Sequence, residues 1–199
     1  MDKNLNWKKH IEYISKKISK GCGIIAKLRN CVSTKFLVEI YHSLVHSYLR
    51  YGIMVWGTAS DDTLEPLEAV INRAIKIMMF VPFGPADLKP IYRDLKLLDV
   101  KNVFKLETAK HMFKVKKEIL PTDIGNYFEI ANDYRLNMGR RYKMRTMDRP
   151  REITSRLVSS NRSIQIRVKK LWDQIPESLQ SKNSLNVFKR HYKKFLMQI

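Results

Sequence analysis

The sequence predicts a mainly α protein: a helical bundle followed by an irregular basic connector and C-terminal helices. Three observations predict it. Apolar residues recur at steps of three and four over several long stretches, the signature of one buried helix face. The chain has 199 residues and is 44% hydrophobic, enough for the core of one compact domain or two small ones. Between residues 122 and 160 that periodicity fades while Lys and Arg accumulate. The expected organisation is therefore a bundle over 1–120 and a basic connector with C-terminal helices over 121–199.

The first helix is expected from Trp7 to Arg29. Trp7, Ile11, Ile14, Ile18, Cys22, Ile25 and Leu28 form its apolar stripe, and Lys8, Lys9, Lys16, Lys17, Lys20 and Lys27 its wet side. Gly21 and Gly23 weaken its middle, which predicts either a kink or close packing against another backbone. Ser33 is a good N-cap for a second helix. There Phe36, Leu37, Ile40, Tyr41, Leu44, Val45, Tyr48 and Leu49 make an apolar face broad enough to touch two neighbours. Ile53 to Trp56, bracketed by Gly52 and Gly57, either finishes that helix or forms a buried turn.

Asp62 followed by Glu65 reads as a capping box for a third helix, whose core face is Leu64, Leu67, Val70, Ile71, Ala74, Ile75 and Met78. Pro82, Gly84 and Pro85 stop it. Pro90 to Leu98 reads as a short helix and turn. Val100 to Leu120 reads as a fourth long helix ended by Pro121, with Val103, Leu106, Ala109, Phe113 and Ile119 inside. Periodicity returns at Ile164, Val168, Leu171 and Trp172, up to Pro176. Ser184 caps a last helix with Leu185, Phe188, Tyr192, Phe195 and Leu196 as its stripe.

Charge is the strongest signal about partners. The chain carries a net +19, and residues 135–170 alone hold twelve Lys or Arg against the acids Asp148 and Glu152. Such a field attracts polyanions at long range and neutralises phosphates at contact. Arg135, Arg140, Arg141, Arg145, Arg149, Arg151 and Arg156 outnumber the Lys there, and the planar guanidinium pairs phosphate oxygens bidentately and stacks on bases. Tyr134 and Tyr142 are interleaved as candidate stacking platforms. The candidate backbone contacts are Lys16, Lys20, Lys27, Arg29, Arg140, Arg141, Lys143, Arg145, Arg149 and Arg151. An acidic protein partner or an inert solubilising surface remains an alternative explanation of the same cluster.

Chemistry is harder to find. His42 and His46 have the i, i+4 spacing of a metal pair, but no third ligand follows at ligand spacing, and a surface His beside an aromatic-packed one explains them as well. Asp61 and Asp62 are adjacent, but helix capping accounts for them. No phosphate loop, nucleophile elbow or Cys–His nucleophile is present. No catalytic residue, metal or cofactor is therefore expected. Cys22 and Cys31 make no disulfide framework and are expected as reduced, partly buried thiols. Met1 to His10 is polar and charged, so no signal peptide is expected, and apolar runs such as Ile77 to Phe83 are far below the roughly 18 residues of a membrane span. The expected location is nucleus or cytoplasm, with no membrane contact.

Particular residues also resemble a known family. Tyr48-Leu49-Arg50-Tyr51-Gly52-Ile53-Met54-Val55-Trp56-Gly57 and the following Leu67 to Ile77 are similar to the carboxy-terminal part of jockey-like reverse transcriptases from non-LTR retrotransposons. Leu5 to Ile11 resembles the junction where the thumb follows the polymerase palm. Lys170-Leu171-Trp172-Asp173-Gln174-Ile175-Pro176 resembles that family's Leu-Trp-Asn-x-Leu-Pro element, Tyr142 to Arg145 its Tyr-x-x-Arg, and Ser184 to Leu196 its terminal helix. Asp173 stands where Asn is usual, and Arg167-Val168 where a Gly often precedes Leu-Trp.

The resemblance covers nearly the whole chain. It implies an RNA-directed DNA polymerase fragment: a thumb and post-thumb region that holds the template–primer backbone. The metal-binding Tyr-x-Asp-Asp of the palm does not occur, so no activity of its own is implied. The implied partners are nucleic acid, an RNA–DNA hybrid or duplex, and the palm and fingers of the polymerase. A domesticated or remnant stand-alone protein, used as a scaffold or interaction module, is the alternative.

Overall fold

The computed structural model describes residues 7–121 and 164–198. Every regular element among them is helical, and the protein is mainly α. In order the helices are α1 (Lys8–Leu28), α2 (Thr34–Tyr41), a π-helical turn (His42–His46), α3 (Ser47–Arg50), α4 (Ile53–Trp56) and α5 (Asp61–Met78). Then come α6 (Lys89–Asp94), α7 (Val100–Lys116), α8 (Ile164–Asp173), α9 (Glu177–Gln180) and α10 (Leu185–Gln198). The chain divides into two compact units, Met1–Glu107 with His191–Ile199, and Thr108–Arg190.

The first unit is built on α1 and α5, which pack lengthwise. α1 buries Ile11, Ile14, Ile18, Cys22 and Ile25, as its periodicity predicts. α5 answers with Leu64, Leu67, Ile71, Ala74, Ile75 and Met78. The Cys22 thiol donates to the carbonyl of Val70 at 3.6 Å, so a polar atom of the seam is satisfied across it. Gly21 marks a close approach: a Cβ there would sit 3.2 Å from the carbonyl oxygen of Leu44. Tight packing, with α1 continuous, is thus the reason for a glycine at this point. Cys31 differs from its expected partial burial. It is exposed in the turn after α1, while Cys22 is buried, and both are free thiols.

Residues 34–50 are helical throughout but not uniformly α. The buried residues Leu37, Tyr41, Val45 and Leu49 recur at steps of four. An α-helix advances about 100° per residue, so steps of four drift by about 40° each. The π turn inserts the extra residue that returns the stripe to the core, with the amide of Ser47 bonded to the carbonyl of His42. The resulting face is narrower than the sequence suggested, since Phe36 (54%) and Tyr48 (40%) are exposed. The face still meets two neighbours, α1 and α5. Gly52, in the left-handed region, starts α4 as a separate turn; Trp56 is buried and its indole donates to the carbonyl of Tyr51 at 2.8 Å.

Two helix ends differ from expectation. The capping box at Asp62 and Glu65 does not form. Ser60 holds the extended N-cap position, its hydroxyl is bonded to that of Thr63 at 2.8 Å, and Asp61 and Asp62 fall in the first turn. There they face the positive end of the helix dipole. α7 stops at Lys116 rather than Leu120. Glu118 takes φ 53°, its amide bonds Val115 O at 3.1 Å, and the Ile119 amide bonds Lys114 O at 2.9 Å, a Schellman turn. Ile119 is therefore exposed, whereas Val103, Leu106, Ala109 and Phe113 are buried as expected.

In the second unit Phe113 and Phe188 stack with centroids 4.8 Å apart, and Trp172 lies 5.8 Å from Phe188. Val168 and Ile175 complete this small core. Gln180 of α9 donates to the carbonyls of Trp172 and Ile175 at 3.0 and 2.7 Å, which closes the turn after α8.

Candidate nucleic-acid interface

α1 carries six lysines and one acid, Glu12. At about 100° per residue, Lys16, Lys20 and Lys27 project within roughly 40° of one another. That direction is opposite the buried stripe of Ile11, Ile14, Ile18, Cys22 and Ile25. All three lysines are exposed, and none is paired with a carboxylate among the described residues. Lys9, exposed too, lies on the same line, five turns before Lys27. It was not among the sequence candidates, although the same periodicity points to it. The four ammonium groups span about 27 Å along the axis at 1.5 Å per residue. Tyr13 stands beside them, 56% exposed, with the Lys17 ammonium 5.4 Å from its ring.

Arg29 is placed differently. It lies just past α1 and is half-buried, with its guanidinium 4.6 Å from the ring centroid of Phe80. The structure thus brings Lys16, Lys20 and Lys27 together on one face and holds Arg29 against an aromatic ring. Arg140, Arg141, Lys143, Arg145, Arg149, Arg151, Tyr134 and Tyr142 lie outside the described residues.

A groove of about 590 Å³ runs between the first half of α1 and the start of α5. Lys8 and Lys16 line it together with Glu12, Asp62, Ser15 and Pro66. Its charges are mixed, so it makes no uniform seat for an anion.

His42 and His46 sit on the π turn with ring centroids 5.1 Å apart. His46 also lies against Tyr41, at 6.4 Å. Burial, then the neighbouring His42 and the charges of Arg50 and Lys193, push the His46 pKa down to about 4, with Glu107 opposing. His42 is lowered by burial, Lys193 and Arg50. Both rings are thus held neutral at pH 7. No group of three His, Cys, Asp or Glu that could hold a metal occurs among the described residues. Asp61 forms an exposed ion pair with Lys101 at 3.0 Å, and Arg50 pairs with Glu107 at 2.9 Å.

Some of the described residues that carry the family resemblance have structural roles. Trp56 and Trp172 are core rings, and the segment from Trp172 to Pro176 is the hydrogen-bonded turn between α8 and α9. No protein-family model, curated protein or solved structure matches this chain.

Proposed function

We propose that this chain is a non-catalytic nucleic-acid-binding part of an RNA-directed DNA polymerase of the non-LTR retrotransposon kind, gripping the sugar-phosphate backbone of template and primer. The observation that carries the reading is the lysine line of α1: Lys16, Lys20 and Lys27, exposed, unpaired with carboxylates and opposite the core stripe. Each ammonium can replace a condensed counterion on a phosphate, a contact that positions the duplex and reads no sequence. The net charge of +19 supplies the long-range attraction, and the family resemblance supplies the RNA–DNA hybrid as ligand.

The test is a fluorescence-anisotropy titration of the whole chain with hybrid, duplex DNA and single-stranded RNA between about 50 and 200 mM salt. The expected result is a steep loss of affinity with salt and similar affinity for unrelated sequences. Affinity that is the same at both salt limits would refute a backbone grip.

A second reading, a stand-alone interaction module, is favoured by one observation. Tyr48, Tyr51 and Val55 are 40, 78 and 48% exposed within eight residues. Capture of a defined protein partner, lost in Tyr51→Ser, with no measurable hybrid binding, would select it.

A further inference from the structure

The far end of α5 presents a second surface. α5 closes in a Schellman turn, with the Phe80 amide on Ile77 O at 3.4 Å and the Val81 amide on Lys76 O at 2.9 Å. The left-handed position of that turn, φ 54°, is held by Phe80. Glycine or asparagine normally stands there, and a bulky residue is an outlier that carries backbone strain. No burial compensates it, since Phe80 is 56% exposed and Phe83, three residues on, is 70% exposed.

Each ring instead carries a guanidinium. Arg29, two residues beyond Lys27, lies 4.6 Å from the Phe80 centroid, and Arg73 of α5 lies 6.0 Å from that of Phe83. Neither arginine is paired with a carboxylate among the described residues. Pro82 and Pro85 restrict the loop, and Lys76 Nζ donates to the carbonyl of Gly84, tying the loop back to α5.

We propose that Phe80 and Phe83, flanked by Arg29 and Arg73, form a stacking platform for the unpaired bases of a single strand. The inference rests on the reading of the chain as a nucleic-acid binder and names where it holds unpaired bases. Two aromatic rings with two carboxylate-free guanidinium groups suit a base–phosphate chain. Bases stack on ring faces regardless of sequence, while the guanidinium groups keep phosphate oxygens as partners. An apolar protein surface laid over the same rings would desolvate two cations without compensation.

The test compares a blunt RNA–DNA hybrid with one bearing a single-stranded extension of about five nucleotides, one of them 2-aminopurine, against the whole chain. Wild type is expected to bind the extended hybrid about tenfold more tightly and to change the 2-aminopurine fluorescence, as one or two stacked bases require. Phe80→Leu with Phe83→Leu is expected to remove that tenfold preference and the fluorescence change, with blunt-hybrid affinity and the salt slope unchanged. Phe83→Leu alone, at the more exposed ring, is expected to lose part of the preference and covers the case in which the double variant unfolds. Equal binding of the two ligands by wild type, or an undiminished preference in the single variant, overturns the platform and leaves the backbone grip standing. Absence of binding to either hybrid overturns both readings.

Discussion

Lys96, like Phe80 and Glu118, has a left-handed backbone at the end of a helix, with φ 53°. At α6 the Lys96 amide bonds Arg93 O at 3.0 Å and the Leu97 amide bonds Tyr92 O at 2.8 Å, so this too is a Schellman turn. An L-residue pays roughly 1 kcal/mol for that conformation, and glycine does not. Lys96 is exposed, while Leu97 behind it is buried and anchors the turn. Lys96→Gly is therefore expected to stabilise the fold by about 0.5–1 kcal/mol, read as a higher urea midpoint at an unchanged slope. A lower midpoint would show that the strain is illusory. The same chemistry hid the true end of α7: with Glu118 rather than glycine in the left-handed position, the sequence points only to Pro121, a few residues too late. His46 gives a pH prediction at this scale. Its folded pKa of about 4 lies below the ordinary 6.5, because burial and the cationic neighbours disfavour the proton. The unfolded chain therefore binds that proton first as pH falls. The stabilising contribution is complete above about pH 6.5 and drains away toward pH 4. His46→Gln is expected to flatten this part of the stability–pH curve, measured by urea unfolding between pH 7 and 4. Parallel curves for the two proteins would remove His46 as the cause.

α1 shows how one periodicity separates a core face from a charged face. Its buried isoleucines Ile11, Ile14, Ile18 and Ile25 face the core, and Lys16, Lys20 and Lys27 face the opposite way, so the charge can be changed without touching the core. Replacing all three with Gln is expected to lower the salt slope of hybrid binding by about 3, one per lost phosphate contact. Thermal melting should be nearly unchanged, because exposed polar substitutions of this kind cost little. An unaltered slope would move the interface elsewhere on the molecule. Helix 34–50 is the opposite case. The four-residue steps of Leu37, Tyr41, Val45 and Leu49 were plain in the sequence, yet they read as one broad α face. Only contact with α1 and α5 selects the narrow stripe and forces the π turn at His42–His46. The start of α5 differs from the expected one for a local reason instead. Asp62 and Glu65 satisfy the capping-box spacing, but Ser60 competes for the same role and lets both aspartates enter the first turn.

At the scale of the whole chain, the helical periodicity was already decisive for the fold class, and the charge of +19 could be read directly from composition. Net charge is additive along the chain, and a period of three to four needs only neighbours within a turn or two, so both survive in one dimension. The α1 lysines inherited their common face from that same local rule. The positions of Phe80 and Phe83 did not. In the sequence they flank a proline and read as a stop signal, with nothing to pair them with Arg29, some fifty residues earlier. That pairing depends on α1 and α5 lying side by side, a long-range arrangement driven by burial of their apolar stripes. The burial of Trp172 follows the stripe read from local periodicity, whereas the indole bond that fixes Trp56 on the Tyr51 carbonyl is visible only in the fold. The sequence by itself determined the helical class, the cationic character and the exposed lysine line, because each follows from composition or from local helix geometry. Tertiary structure decided where the π turn falls, which aromatic rings are left in water and which guanidinium meets which ring, because those outcomes depend on contacts between segments far apart in the chain.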